Sequence, residues 1–105
     1  MTIFFRSARL GLVLVLAVTS SVAADQKPQD VYKANCQGCH GASGRASAIG
    51  KGMGARNFQD PAVTKSPAST LVKIITNGKN QMPPYEGILT PKEIKDLAKY
   101  IKEMK

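Results

Sequence analysis

Cys36-Gln37-Gly38-Cys39-His40 is the stretch of sequence that decides the fold of this 105-residue chain. It holds both cysteines and the only histidine of the sequence. Random placement of these three residues would give the pattern in roughly one case in a few thousand, so the spacing is informative. Two thiols three positions apart can add across the two vinyl groups of one haem, and the next residue then directs its imidazole at the iron. The motif predicts one covalently bound haem c, held by Cys36 and Cys39 and ligated by His40.

Three other uses of the same motif agree less well with the sequence. A dithiol redox centre normally lies at the start of a helix in a βαβ context, and the chain shows no strand pattern. A zinc site needs four ligands, and there is no second C-x-x-C and no second histidine. A structural disulfide between Cys36 and Cys39 would leave unexplained how so small a chain builds a core.

The first 24 residues differ in composition from the remainder. Arg6 and Arg9 precede an almost wholly apolar run at 10–18, and small residues then end in Val22-Ala23-Ala24. This order is typical of a secretory signal that is cleaved after Ala24. The apolar run is shorter than the roughly 20 residues that span a bilayer. We therefore predict a signal peptide at residues 1–24 and one periplasmic domain at residues 25–105, with no stable membrane span after cleavage.

The expected mature domain has few residues from which to build a core. Leu, Ile, Val and Phe account for 13 of its 81 residues, which is about 16%. A charged chain below roughly 20% is expected to stay disordered. Domains of this size usually need disulfides, a metal or another covalent or coordinate link. The composition therefore indicates a buried cofactor, in agreement with the haem motif.

The remaining sequence predicts an all-α domain of three main helices and long loops. The first helix covers residues 29–36 and follows Pro28, and the second ends at Asn77-Gly78. A strand at 71–75 is the alternative, but nothing nearby would pair with it. The third helix begins with a capping box at Thr90-Pro91-Lys92-Glu93 and continues as one apolar stripe. Loops are expected at 38–54, 57–65 and 79–89. The first loop should contain at most a turn of helix at 45–49, and the second is expected to be irregular.

The second axial ligand of the iron decides what the haem does. Met82 is favoured because it lies outside any predicted helix and Pro83 restricts its backbone to extended conformations. Met53 in the glycine-rich loop, Lys79 and Lys51 stay open as alternatives, and Met104 fits the apolar stripe of the last helix. Ligation by His40 and Met82 would leave no vacant position on the iron, which suits an electron carrier rather than an enzyme.

The chain resembles the class I c-type cytochromes, in particular the small soluble bacterial proteins with one haem. The resemblance rests on three segments: residues 32–41 around the haem motif, Asn77 to Tyr85 around Met82, and residues 89–101. It implies the cytochrome c fold, in which the first and last helices cross near Tyr32, Leu97 and Tyr100. Pro28 stands where the family often has a glycine. There is no Trp to bind a haem propionate, so Arg45, Arg56, Asn57 and Lys51 are the candidates.

The charge of the chain bears on its partners. The formal net charge is +8, and removal of residues 1–24 with Arg6 and Arg9 leaves +6. A basic protein of this size is steered toward acidic partners with salt-dependent rates. We expect redox partner proteins that have acidic docking surfaces. They should contact this protein near Gln37, Gly38 and the segment around Met82. Nucleic-acid binding is not expected because no recognition motif is present.

Three functional hypotheses follow from the haem motif. The first is a monomeric periplasmic carrier that shuttles single electrons between redox complexes of a respiratory chain. The second is an electron-transfer subunit of a periplasmic oxidoreductase complex, which would form a stable hetero-complex. The third is a haem sensor or small peroxidase in which Met82 leaves the iron. Met82-Pro83-Pro84 favours the first over the third, but the sequence does not separate the first from the second.

Overall fold

The computed structural model describes residues 10–18 and 24–105 of the chain. Residues 24–105 form six helices, and the described residues contain isolated β-bridges but no extended strand. The predicted all-α class is confirmed. The helices are α1 Pro28–Asn35, α2 Gln37–His40, α3 Ala48–Gly52, α4 Pro61–Thr64, α5 Ala68–Asn77 and α6 Pro91–Lys102.

The predicted signal segment is covered only in part. Residues 10–18 have no regular secondary structure, and their large apolar side chains are exposed. Residues 1–9 and 19–23 lie outside the described residues, and they include Arg6, Arg9, Val22 and Ala23. Within the two described ranges, no helix is both long enough and apolar enough to cross a membrane. Division of the chain after Ala24 stays a prediction.

The three main helices lie where the sequence predicts them. α1 begins at Pro28, and α5 ends at Asn77, where Gly78 follows with a positive φ of 75°. The segment 71–75 is helical, so the strand alternative is wrong. α6 begins with the predicted capping box, since the side chain of Thr90 accepts from the N–H of Glu93 at 3.1 Å. These three boundaries therefore follow local signals: a proline at the start of α1, a glycine after α5 and a capping box at the start of α6.

The predicted loops contain three short helices that the sequence analysis did not place correctly. α2 continues directly from α1 despite Gly38, because one glycine inside a helix costs only about 1 kcal/mol. The turn expected at 45–49 instead covers Ala48–Gly52, since the hydroxyl of Ser47 accepts from the N–H of Gly50 and caps it. The prediction of irregular chain at 57–65 is wrong for Pro61–Thr64, where Pro61 occupies the first helical position after Asp60.

α1 and α6 pack against each other at the centre of the core. Val31, Tyr32, Leu97 and Ala98 expose at most 1% of their surface. The ring of Tyr32 meets that of Tyr100 edge to face, with centroids 5.6 Å apart. The packing that the family resemblance implies near Tyr32, Leu97 and Tyr100 is therefore present, although Pro28 replaces the usual glycine.

Tyr32 also joins this core to the haem motif. Its hydroxyl donates to the carbonyl of Gly41, directly after His40, at 2.5 Å. Burial, reinforced by nearby Cys36, raises the pKa of Tyr32 to about 12, so the hydroxyl stays protonated as a donor. The helix crossing thereby fixes the position of the chain at the end of α2.

The first residues after the expected cleavage point are bound to the start of α6. The N–H of Gln26 donates to Glu93 Oε2 at 3.0 Å, and the hydroxyl of Thr90 donates to Asp25 Oδ1 at 2.6 Å. Glu93 Oε1 accepts from the N–H of Thr90 at 2.9 Å. The carboxylate of Glu93 therefore accepts from two backbone N–H groups, one near the start of the domain and one at the start of α6.

Glu93 is expected to make the stability of the domain depend on pH. Hydrogen bonds from the N–H groups of Thr90 and Gln26 lower the pKa of Glu93, and burial acts against them. A carboxyl group whose pKa is lower in the folded state stabilises the fold above its unfolded pKa. That contribution is lost as the pH falls through the folded pKa. We expect the thermal midpoint of the wild type to fall more steeply than that of Glu93→Gln below about pH 4.3, the usual pKa of glutamate.

The measurement is thermal unfolding of both proteins between pH 7 and pH 3. Glutamine keeps one amide oxygen that can accept from Thr90, so the substitution removes only the negative charge and the second acceptor oxygen. Glu86→Gln is the matched control because the side chain of Glu86 is exposed. Equal slopes for the wild type and Glu93→Gln would contradict this role of Glu93.

Candidate haem-binding site

A cavity of about 360 Å³ lies between the haem motif, α5, α6 and the segment that contains Met82. All four residues that the sequence analysis assigned to the haem line it, although Met82 is 42 positions from His40. The core side chains Leu71, Ile75, Leu97 and Ile101 line it too. The predicted site residues are thus brought together at one largely apolar cavity: Cys36, Cys39, His40 and Met82.

The two cysteines reach the cavity from the joint between α1 and α2. The N–H of Cys36 donates to the carbonyl of Tyr32 at 2.9 Å, and its own carbonyl accepts from the N–H of His40 at 3.0 Å. Cys36 therefore caps the end of α1 and the start of α2. α2 then places Cys39 and His40 at the cavity wall. The two cysteines are not paired in a disulfide, so both sulfur atoms are available to attach a cofactor. Burial raises the pKa of Cys36 to about 11.

His40 is held as a flat, largely buried ring. It stacks on Phe58 with ring centroids 4.7 Å apart and an interplanar angle of 25°. Burial lowers the pKa of His40, and the backbone of Arg56 acts in the opposite direction. The imidazole is therefore neutral at pH 7 and has a nitrogen lone pair for a metal. The sequence analysis missed the role of Phe58, although it is the one Phe of residues 25–105.

Met82 lies at the end of a tight hairpin. The N–H of Lys79 donates to the carbonyl of Met82 at 3.1 Å, and the N–H of Met82 donates back to Lys79 at 2.9 Å. Asn80 at the tip has a φ of 51°, a left-handed conformation that asparagine tolerates better than most residues. Met82 is half-buried and packs against the core. The hairpin therefore fixes the backbone of Met82 beside the cavity.

Tyr85 closes the same wall of the cavity. Its hydroxyl donates to the carbonyl of Asn35 at 3.0 Å, which connects the Met82 segment to the end of α1. Burial raises the pKa of Tyr85, with smaller contributions from Cys36 and Cys39, so the hydroxyl remains a donor. The sequence analysis did not identify this bond, because the two residues are 50 positions apart and no local pattern connects them.

The alternative iron ligands divide into two groups. Met53 and Lys79 line the cavity, whereas Lys51 and Met104 do not. Met104 packs against the core near Phe58, as its place in the apolar stripe predicts. Among the candidates for a haem propionate, only Arg56 lines the cavity. The side chain of Asn57 instead accepts from the N–H of Ala46 at 2.8 Å.

The donor groups at the cavity suit a haem better than a zinc ion. Within residues 10–18 and 24–105, no three His, Cys, Asp or Glu side chains are grouped closely enough to hold a metal ion. His40 Nδ1 is buried and makes no hydrogen bond of standard geometry. Two free thiols, a neutral imidazole and a thioether around an apolar cavity are the groups that attach and ligate a haem c. The residues present therefore fit that cofactor.

Comparison with known proteins identifies the family. The sequence model of the family described as cytochrome C oxidase, cbb3-type, subunit III matches residues 23–101. Cytochrome c6 from Nostoc sp. strain PCC 7120 is 30% identical over 100 residues, which cover 92% of this chain and 88% of the relative. The cbb3-type cytochrome c oxidase subunit CcoP from Azospirillum brasilense is 37% identical, but its match covers 79% of this chain and only 29% of the relative.

A solved structure supports the same assignment. The KustC0563 c-type cytochrome superposes with a TM-score of 0.71 at 30% identity, and the match covers 76% of this chain and 99% of that one. The c-type cytochrome fold and the family match both fit a cavity that is lined by thiol, imidazole and thioether groups. The predicted resemblance is confirmed: the chain belongs to the c-type cytochromes of class I and carries a covalently bound haem c.

Proposed function

We propose that this protein is a periplasmic one-electron carrier in which Cys36 and Cys39 hold the haem and His40 and Met82 ligate its iron. The observation that carries the proposal is that these four residues line one cavity, although they come from two distant parts of the sequence. When bound, the haem supplies reversible one-electron chemistry. The protein contributes the ligands, the orientation and the apolar surroundings.

The ligand residues are held by contacts that would not change with the charge of the cofactor. Stacking on Phe58 fixes the plane of His40, and the Lys79 hairpin fixes the backbone of Met82. Leu71, Ile75 and Leu97 exclude water from the cavity wall. Because both oxidation states keep the same ligands, little needs to rearrange when an electron passes. That property favours a carrier over an enzyme, as the match to a cytochrome c6 also does.

A second candidate is an electron-transfer subunit of an oxidoreductase complex. The match to a cbb3-type oxidase subunit favours it. The match covers only 29% of that relative, so the similarity concerns one part of it. Size-exclusion chromatography of a native periplasmic extract separates the two candidates. A carrier elutes as a monomer, whereas a subunit elutes with a larger complex at low and at high salt.

In the part of the chain that the structure describes, most of the positive charge on the surface is not used in ion pairs within the protein. Within the described residues, Lys92 and Asp96 form the one ion pair, with a distance of 2.6 Å, on the solvent-facing side of α6. Most basic side chains are therefore not neutralised within the protein. Arg56 and Lys79 lie at the rim of the cavity itself. We propose that acidic redox partners dock at this rim, with association rates that fall as ionic strength rises.

The visible spectrum of the exported protein tests the carrier function. We expect a low-spin c-type spectrum in both oxidation states, with the weak far-red band of a methionine bound to ferric iron. The reduced form should not bind carbon monoxide at neutral pH, because no coordination position is open. A high-spin spectrum, or a shift with carbon monoxide, would contradict the proposal and support the sensor or peroxidase hypothesis.

Arg56 is expected to raise the reduction potential through its charge at the cavity. Reduction removes one positive charge from the iron, so a nearby cation favours the reduced form. Arg56→Gln should therefore lower the potential. Arg45→Gln removes the same charge from an exposed residue that does not line the cavity, and it serves as the control. Voltammetry at low salt should show a drop several times larger for Arg56→Gln, and equal drops would contradict a specific role.

A further inference from the structure

The chain around Met82 folds back over the end of α5. After the Lys79 hairpin and the two prolines, the N–H of Tyr85 donates to the carbonyl of Ile75 at 3.0 Å. The N–H of Glu86 donates to the carbonyl of Thr76 at 3.1 Å. These bonds satisfy carbonyl groups that the end of a helix leaves without intrahelical partners. The Met82 segment is therefore connected to α5 at both of its ends: through the chain at Gly78 before Met82, and through these two hydrogen bonds after the prolines.

Gly78 is the residue against which this segment rests. It has a φ of 75° and a ψ of 170°, a backbone conformation that is essentially restricted to glycine. A Cβ atom at this position would lie 2.6 Å from the carbonyl oxygen of Met82. It would also lie 2.9 Å from the nitrogen of Pro84 and 3.0 Å from the carbonyl carbon of Pro83. All three contacts are with backbone atoms, which cannot rotate out of the way as a side chain can.

We propose that Gly78 is a positioning residue for the iron ligand, because its missing side chain lets the Met82 backbone lie directly on the end of α5. The inference rests on the proposed ligation by Met82. A methyl group at Gly78 has to displace the carbonyl of Met82 or the peptide that joins Pro83 to Pro84. The two prolines limit how the segment can bend. The displacement therefore reaches the thioether of Met82 and withdraws it from the iron.

Gly87 provides a matched control in the same connection between α5 and α6. Its φ of 77° is close to that of Gly78, so an alanine at either position has to adopt a positive φ. A Cβ at Gly87, however, meets no atom within 4 Å, and Gly87 does not line the cavity. Comparison of the two alanine variants therefore separates the close contact at Gly78 from the cost of a positive φ.

The experiment uses the haem-loaded wild type, Gly78→Ala, Gly87→Ala and Met82→Ala. Three properties are measured: the far-red band of the ferric form, carbon monoxide binding to the ferrous form, and helical circular dichroism. We expect Gly78→Ala to stay helical but to lose the far-red band. Its affinity for carbon monoxide should be at least tenfold that of Gly87→Ala. Gly87→Ala should match the wild type in all three.

A double variant tests whether Gly78 acts through Met82. In a Met82→Ala background, Gly78→Ala should change the carbon monoxide affinity by less than twofold, because the ligand is already absent. A tenfold change in that background would overturn the positioning role. So would a Gly78→Ala protein that loses its helices while Gly87→Ala keeps them, since Gly78 would then be needed for the whole fold.

The remaining outcomes distinguish this inference from the proposed function. If Met82→Ala loses the far-red band but Gly78→Ala keeps it at full intensity, Met82 is the ligand and Gly78 does not position it. If Met82→Ala keeps the band, the ligand assignment itself is wrong, and the role of Gly78 is overturned with it.

Discussion

Replacement of Met82 by alanine is expected to open the iron to external ligands and to lower the reduction potential. A thioether is a soft ligand that stabilises ferrous iron, so its loss favours the ferric state. Axial ligation sets haem potentials over a range of about 0.8 V, and we expect a drop on the order of 0.1 V. The far-red band should disappear, and the reduced protein should bind carbon monoxide. Visible spectroscopy and voltammetry measure all three effects.

Met53 and Lys79 supply the controls for this prediction, because both line the same cavity. Met53→Ala removes a thioether whose residue is 40% exposed. Lys79→Ala removes the amine but keeps the backbone bonds of the hairpin. Both variants should keep the far-red band and stay closed to carbon monoxide. If Met53→Ala lost the band and Met82→Ala kept it, the iron ligand would be Met53 instead.

Features set by neighbouring residues could be predicted from the sequence. The spacing of Cys36, Cys39 and His40 predicts that they act together, because they lie within five consecutive residues. Thr90 and Glu93 predict the start of α6 for the same reason, since each caps the other's backbone within four residues. The family resemblance rested on segments of this kind, and the comparisons confirm it.

Contacts between distant segments could not be predicted in this way. The stacking of His40 on Phe58 joins residues 18 positions apart, and nothing in the loop sequence selects that pair. The sequence shows that Gly78 ends a helix, but it does not show that the Met82 backbone rests on it. The helix α4 was missed for a different reason. Its starting signal, Pro61 directly after Asp60, is local, but the sequence analysis expects irregular chain at 57–65.

Removal of both thiols is expected to have the largest effect on the fold. With Cys36→Ala and Cys39→Ala together, the haem has no covalent attachment, and the cavity of about 360 Å³ is left among core side chains. At about 24 cal/mol per Å³, a closed empty cavity of this volume would cost on the order of 9 kcal/mol, and this is an upper limit here because the cavity opens to solvent. Small domains are stable by only about 5 to 15 kcal/mol in total. We therefore expect the exported double variant to be largely unfolded.

Far-UV circular dichroism and thermal unfolding of the purified variant test this expectation. Cys39→Ala alone is the matched control, because Cys36 can still form one thioether and keep the haem in the cavity. The single variant should retain most of the helical signal and a cooperative transition at lower temperature, whereas the double variant should show neither. A helical and cooperatively unfolding double variant without haem would contradict the prediction. It would mean that Tyr32, Leu97 and their neighbours form a sufficient core, and that the cofactor is needed for function but not for folding.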